Sequence, residues 1–307
     1  MGIVKRLLCD RNVIMLLGLL FGLAWGDAAS WVEPLTLPGL ALVMTLSTTG
    51  LSGNLFRPIG NVVNQLLSGI VMTYVVFAGV TLALNLLLVR DPALRTGFVL
   101  LAAVPPAVAV IPFTLFLKGN AAFSLIGTIG GYLGALVIMP AITVCFIGAD
   151  FLNPFKVILI LTELIVVPLV ASRILMWTHL DRQIEPVKGT IINWTFFLFN
   201  YILVGLNRGV FLHKPLSLLP VVFVAFASTF LLGWVIEKVS NLMRIGPETR
   251  TSLVLLGTLK NYGIAGGVAL ALFNREATVP STVSAVIMIL YIVWLQYRQR
   301  STPARAG

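Results

Sequence analysis

A lysine and an asparagine lie in the middle of an apolar stretch, residues 249–273. Lys260 and Asn261 follow Gly257 and precede Gly263, and such a sequence is a poor continuous helix. In a bilayer, the backbone can leave the helix only where protein or a water-filled cavity replaces its hydrogen bonds. A charge at that depth is costly and indicates a functional site. The stretch therefore predicts a broken transmembrane helix that presents Lys260 and Asn261 at the membrane midplane.

The ammonium of Lys260 can do two kinds of chemistry at that depth. It can act as a fixed positive charge that attracts an anionic substrate, or it can load and unload a proton during a cycle. In an alternative interpretation, Lys260 has no functional role, lies nearer the membrane interface and extends its side chain to water. Arg250 lies at the start of the span, ten residues before Lys260. At the rise of an α-helix these residues extend over roughly 15 Å, which is half the thickness of the hydrocarbon core. This spacing favours the buried site.

Glu163 is the other deep charge, within the apolar residues 158–170. Paired with Lys260 it would be neutralised, and breaking the pair would be part of a transport cycle. Isolated, it would be a candidate proton site, or a structural glutamate bonded to a neighbouring span.

Composition excludes a soluble domain. The chain has 307 residues, of which 58% are hydrophobic and only 10% charged, and its mean hydropathy is +1.00. The net charge of +10 does not indicate nucleic acid, because the basic residues lie in short loops between apolar runs. They lie mostly on one side, which predicts a cell-membrane (inner or plasma membrane) protein with both termini cytoplasmic. The cysteines and histidines have no metal-ligand spacing, so we predict no metal site and no cofactor.

The apolar runs predict an all-α polytopic membrane protein with two inverted repeats, residues 1–150 and 151–307. Pro105, Pro106 and Pro112 interrupt the fourth span at the place where Gly257 and Gly263 interrupt the ninth. Matching interruptions in two halves indicate the substrate site of a transporter. We predict ten spans, at about 12–32, 36–53, 59–89, 95–117, 120–147, 153–176, 189–209, 216–241, 249–273 and 278–297.

Three elements, in order along the chain, resemble motifs of one transporter family. They are Leu40-Ala41-Leu42-Val43-Met44 before Gly50-Leu51 and Arg57-Pro58; Lys118-Gly119-Asn120-Ala121-Ala122-Phe123-Ser124 with Pro140 downstream; and Asn261-Tyr262-Gly263. Taken together, and over nearly its whole length, the chain resembles the bile acid:sodium symporter family of secondary transporters. The resemblance implies a panel domain of spans 1, 2, 6 and 7 and a core domain of spans 3–5 and 8–10. It also implies broken, crossing helices 4 and 9 and organic anions as substrates, including bile acids, steroid sulfates and small carboxylates.

The chain departs from this family where sodium ligands are expected. Ser124 and Thr128 match two hydroxyl ligands, but the Ser-Asn pair expected in span 4 is Val110-Ile111. Leu256, Lys260 and Ser68 replace an expected glutamate and two expected glutamines. Because aliphatic side chains cannot replace a cation's hydration shell, we expect both sodium sites to be dismantled, with the Lys260 ammonium in place of the cation.

Polar side chains of two further spans are candidates for the substrate site. Asn193, Asn200 and Asn207 recur every seven residues and share one helix face. Such a stripe either joins helices or lines a cavity. Thr45, Thr48 and Thr49 repeat the theme in span 2 and would face the cleft between panel and core if the resemblance holds. Ser68 of span 3 is a further candidate for the substrate site.

We therefore predict a secondary active transporter of a small organic anion that works by alternating access, coupled to protons or uncoupled. The alternative is a sodium symporter that uses a residual site of Ser124, Thr128 and Asn261. A membrane enzyme or a non-transporting receptor is disfavoured, because no nucleophile–base pair or pair of acids lies within the apolar spans. The predicted partners are the substrate, the lipid bilayer, Na+ or H+ as a coupling ion, and a second copy in a possible homo-oligomer, but no nucleic acid.

Overall fold

A computed structural model of the protein describes residues 11–49, 59–107, 109–148, 159, 162–213 and 215–301. Every regular element in these ranges is a helix, and the one strand-like pairing among them is an isolated bridge between Pro106 and Lys260. The prediction of an all-α protein is thereby confirmed for the described residues. The predicted boundary between residues 150 and 151 and the basic residues of the N-terminus before Arg11 lie outside them.

Within its described residues, the first half of the chain contains eight α-helices. A π-helical segment, Val71–Phe77, joins the fourth to the fifth, and residues 104–107 follow the sixth. The helices are α1 Arg11–Ala24, α2 Ala29–Val32, α3 Thr36–Thr48, α4 Ile59–Ile70, α5 Ala78–Leu88, α6 Pro92–Ala103, α7 Val110–Phe116 and α8 Ala121–Ile147.

The part of the second half that the structure describes also contains eight α-helices. Two π-helical segments, Thr162–Val166 and Ala227–Leu231, precede the ninth and the thirteenth helix, and residues 257–261 separate the fourteenth from the fifteenth. The helices are α9 Val167–Trp177, α10 Leu180–Leu206, α11 Arg208–His213, α12 Leu219–Phe226, α13 Leu232–Leu242, α14 Pro247–Leu256, α15 Tyr262–Leu272 and α16 Val279–Ser301.

The outer surface of the described helices suits lipid. Six helical stretches among them are long and apolar enough to cross a membrane: Gly26–Leu46, Val62–Leu88, Ala121–Ile147, Leu180–Leu206, Leu219–Leu242 and Glu276–Arg298. Large apolar side chains point outward, with Trp31 84% exposed and Trp177 83% exposed. A monomeric soluble protein rarely exposes apolar surface of this extent to water. The protein is therefore embedded in a membrane.

Helices α1, α3, α9 and α10 pack on one another as one group. Small residues allow α1 to approach α10 closely, since a Cβ at Gly18 would lie 2.6 Å from Phe197 O and one at Gly22 would lie 2.9 Å from Val204 Cβ. Without water to drive helices together in lipid, such close packing supplies much of the association energy.

The remaining large helices surround α6 and α8. Helix α4 runs against α8 through Gly69, Gly127 and Gly130, and a Cβ at Gly69 would collide with the Gly127 carbonyl. Helix α15 lies between this group and the first one, because a Cβ at Gly263 would lie 2.6 Å from Leu40 and a Cβ at Gly266 would lie 2.8 Å from Leu203. The contact between the two groups therefore includes a row of glycines on α15 against leucines of α3 and α10.

Candidate functional site

Two non-helical segments, residues 104–107 and 257–261, meet in the interior of the protein. The Asn261 N–H donates to Pro105 O at 3.0 Å and the Ala107 N–H donates to Leu259 O at 3.1 Å, so that Pro106 and Lys260 pair in antiparallel fashion. A backbone that leaves the helix inside a membrane must find other partners for its polar groups. Here each segment supplies those partners for the other.

Lys260 is buried at this crossing, with only 1% of its surface exposed. Its Nζ donates to Ala102 O at 2.9 Å and to Val104 O at 2.6 Å, at the C-terminal end of α6. The last carbonyls of a helix have no intrahelical partner and form the negative end of the helix dipole. The Lys260 ammonium therefore caps a half-helix that belongs to the other half of the chain.

Two aromatic rings complete the surroundings of the ammonium. Lys260 Nζ lies 4.7 Å from the centroid of the Tyr74 ring and 5.1 Å from that of Phe77, both on the π-helical segment Val71–Phe77. The faces of aromatic rings attract cations, most strongly where water is excluded. No carboxylate pairs with Lys260 among the described residues. The neighbours that hold the positive charge are two carbonyl oxygens and two ring faces.

Asn261 connects three helices beside the crossing. Its Oδ1 accepts a hydrogen bond from the Ile264 N–H at 3.1 Å and so caps α15. Its Nδ2 donates to the Tyr132 hydroxyl of α8 at 3.0 Å and lies 3.8 Å from the sulfur of Met44 on α3. Because α3 belongs to the first helix group, this is the point where the crossing contacts that group.

Asn261→Ala is expected to lower the free energy of unfolding by about 1–2 kcal/mol, because the first turn of α15 loses its cap. Asn261→Ser keeps a capping oxygen and is expected to recover about 1 kcal/mol of that loss. Thermal unfolding of the purified variants in mild detergent measures both. Equal stabilities of the alanine and serine variants would contradict a capping role.

Gly131 allows the first non-helical segment to rest on α8. A Cβ at Gly131 would lie 2.5 Å from Pro106 Cδ, and the Tyr74 hydroxyl donates to the Gly131 carbonyl at 2.7 Å. The ring that faces Lys260 and the proline that pairs with Lys260 are thus both positioned by the same residue of α8.

The two hydroxyls that match sodium ligands in the family resemblance, those of Ser124 and Thr128, have different surroundings on α8. Ser124 is fully buried, and its Oγ accepts a hydrogen bond from the Thr114 hydroxyl at 2.7 Å. Thr128 is buried with no partner for its hydroxyl among the described residues. The aliphatic side chain of Leu256 is buried, and a Cβ at Gly127 would lie 2.7 Å from it. A sodium ion needs a cage of oxygen atoms, and these residues offer one unpartnered hydroxyl and no acid.

The threonines and the serine predicted for the substrate site bond to their own helices. The hydroxyls of Thr45 and Thr48 donate to Ala41 O and Met44 O at 2.8 Å each, and the half-buried Ser68 donates to Asn64 O at 2.7 Å. The described structure does not bring these three side chains to Lys260.

The three asparagines of the stripe on α10 make different contacts. Asn193 is half-buried, and Asn200 is buried against α1 near Gly18, with no partner for its Nδ2 among the described residues. Asn207 donates to Leu203 O and to the Thr278 hydroxyl, the latter at 2.6 Å. Asn207 thus joins α10 to the turn that precedes α16. This contact is of the kind expected if the asparagine stripe joins helices.

Glu163 is not placed beside Lys260. Its side chain is exposed on the π-helical segment Thr162–Val166, whereas Lys260 is buried. Of the residues predicted to interrupt the helices, Pro105, Pro106 and Gly257 lie in the two non-helical segments. Pro112 lies in the first turn of α7, and Gly263 is the second residue of α15.

The sequence prediction did not include the groups that contact Lys260 and Asn261. Tyr74 and Phe77 are three residues apart on one helix face, and this spacing is the one signal that could have indicated them. No family model matches the chain, and no curated protein matches it. Among the described residues there is also no group of three or more histidine, cysteine or acidic side chains that could hold a metal ion.

Proposed function

We propose that this protein is a secondary transporter that moves a small organic anion across the membrane by alternating access. The observation that carries the proposal is the buried crossing of two interrupted helices from different halves of the chain. In transporters, substrates bind where such discontinuous helices meet, near the midplane. The proposal includes ten spans in two inverted repeats, residues 1–150 and 151–307, and a divergent relationship to the bile acid:sodium symporter family.

The two helix groups provide the moving parts in this proposal. The group of α1, α3, α9 and α10 would be the panel, and the helices around the crossing would be the core. A row of glycines on α15, including Gly263 and Gly266, faces leucines of the panel. An apolar contact of this kind offers little resistance to sliding, as a change between inward and outward access requires. The hydrogen bond from Asn207 to Thr278 is a contact between the two groups that would have to break in such a change.

In this proposal, the ammonium group of Lys260 replaces the coupling cation. Its ammonium lies against the carbonyl ends of α6 and two ring faces, a set of neighbours that would also attract a free cation. A cation attached to the chain cannot be released to either side. We therefore propose transport that does not require sodium, with a proton on Lys260 as the one ion that can still be exchanged.

The test is uptake of labelled organic anions into liposomes that contain the purified protein. A panel of a bile acid, a steroid sulfate and small carboxylates is offered with a sodium gradient, a proton gradient, or neither. The expected result is uptake of at least one anion that a sodium gradient does not increase. Stimulation by the proton gradient assigns coupling to a proton, and its absence assigns uncoupled transport. Uptake that only a sodium gradient drives would contradict the proposal and favour the sodium symporter.

A further inference from the structure

A second polar site lies away from the crossing, where α13 and α16 end and α14 begins. A cavity of about 60 Å³ is enclosed there by side chains of α13, α14, α16 and the end of α7. Its charged lining consists of Arg250, Arg298 and Glu237, and its apolar lining includes Val254 and Leu295. This volume holds several water molecules or one small polyatomic ion.

Arg298 is held in place on two sides. Its Nη2 donates to Glu237 Oε1 at 2.5 Å, and its guanidinium carbon lies 5.0 Å from the centroid of the Trp294 ring. Trp294 is itself stacked on the buried Tyr291 at 5.8 Å between ring centroids. A guanidinium fixed in this way loses little further freedom when it binds an anion.

Arg250 supplies the charge that Glu237 does not neutralise. It is half-buried on the first turns of α14, and no ion pair or side-chain hydrogen bond involves it among the described residues. Two guanidinium groups and one carboxylate leave the cavity with an excess of positive charge. An anion is therefore the expected occupant.

We propose that this cavity binds a phosphate group, either that of a phospholipid headgroup or free phosphate. Planar guanidinium groups match the oxygens of a phosphate in a bidentate manner. The cavity of about 60 Å³ has room for a single tetrahedral ion. It lies near the ends of helices, and basic pockets between transmembrane helices are known sites for anionic lipid headgroups. The site is independent of the proposed transport function.

The experiment titrates the purified full-length protein, stripped of lipid, with three probes: short-chain phosphatidylglycerol, diacylglycerol of the same chain length, and inorganic phosphate. Native mass spectrometry counts bound molecules, and the shift in unfolding temperature gives apparent affinities. We expect phosphatidylglycerol to bind and diacylglycerol, which lacks the phosphate, not to bind. Inorganic phosphate that binds as well as the lipid identifies the soluble ion as the source. Weaker binding of inorganic phosphate identifies the headgroup.

Three variants assign the binding to the cavity. Arg250→Gln is expected to weaken binding about tenfold or more, the loss of one charge-assisted contact. Glu237→Gln is expected to strengthen it, because the competing negative charge is removed. Lys238→Gln removes an exposed charge on the next residue, outside the cavity, and is expected to change nothing. Diacylglycerol that binds as well as phosphatidylglycerol, an equal loss in the Arg250 and Lys238 variants, or weaker binding by Glu237→Gln would each overturn the proposal.

Discussion

Lys260→Glu is expected to have a free energy of unfolding about 3–5 kcal/mol lower than that of Lys260→Gln. The two variants have side chains of the same size, so the comparison isolates the sign of the charge. The nearest groups are the carbonyl oxygens of Ala102 and Val104 and the faces of Tyr74 and Phe77. All four are electron-rich and would repel a carboxylate. The glutamine amide can still donate hydrogen bonds to the carbonyls.

The measurement is unfolding of both purified variants in the same mild detergent. The matched control is the pair Lys238→Glu and Lys238→Gln at an exposed position of α13. These two are expected to agree within about 0.5 kcal/mol, as most surface changes do. A difference at position 260 no larger than that at position 238 would mean that the carbonyls and rings do not create a site for a cation.

Gly131→Ala is expected to lower the free energy of unfolding by about 1–3 kcal/mol, the usual cost of overpacking a well-filled interior. The new methyl group would lie 2.5 Å from Pro106 Cδ and 2.7 Å from Pro106 Cγ. A proline ring has little freedom to turn away. Residues 104–107 would have to move off α8, and their hydrogen bonds to Leu259 and Asn261 would lengthen.

Gly79→Ala is the matched control for this prediction. Gly79 lies in α5, and a Cβ there meets no atom within 4 Å. The same chemical change should therefore leave stability unchanged or raise it by up to about 1 kcal/mol, the difference in helix propensity. Unfolding in detergent compares the two variants directly. If both glycines tolerate alanine equally, the close approach of Pro106 to α8 does not matter for stability.

The places where the helices are interrupted follow from local chemistry. Pro105 and Pro106 lack the N–H groups that a helix needs, and Gly257 weakens the helix that precedes Lys260. Such effects act within a few residues of the chain, so the sequence alone indicates them. The general class of protein follows equally directly, because an apolar composition of this kind leaves helices in a membrane as the main solution.

The contacts of Lys260 could not be predicted in the same way. Its hydrogen-bond partners are the backbone carbonyls of Ala102 and Val104, and a carbonyl has the same chemistry at every residue. Only the three-dimensional crossing selects these two. From the sequence, the expected side-chain partner of a buried lysine is an acidic residue. Glu163 is the candidate on that basis, but its side chain is exposed.

The roles of individual hydroxyl groups could not be predicted from the sequence either. Thr45, Thr48 and Ser68 are polar residues in apolar helices, and a sequence cannot distinguish a hydroxyl that faces a substrate from one that bonds to the preceding turn. In the described structure all three donate to carbonyls three or four residues earlier. This is the usual way for a serine or threonine to be satisfied inside a membrane helix.

The decisive measurement is anion uptake by liposomes that contain wild-type protein or Lys260→Gln, with sodium present or replaced by choline. If the Lys260 ammonium acts as the cation of a sodium-independent transporter, wild-type uptake is the same in both solutions, and uptake by the folded Lys260→Gln variant is lost in both. Sodium-dependent uptake that survives in Lys260→Gln would contradict this role of Lys260.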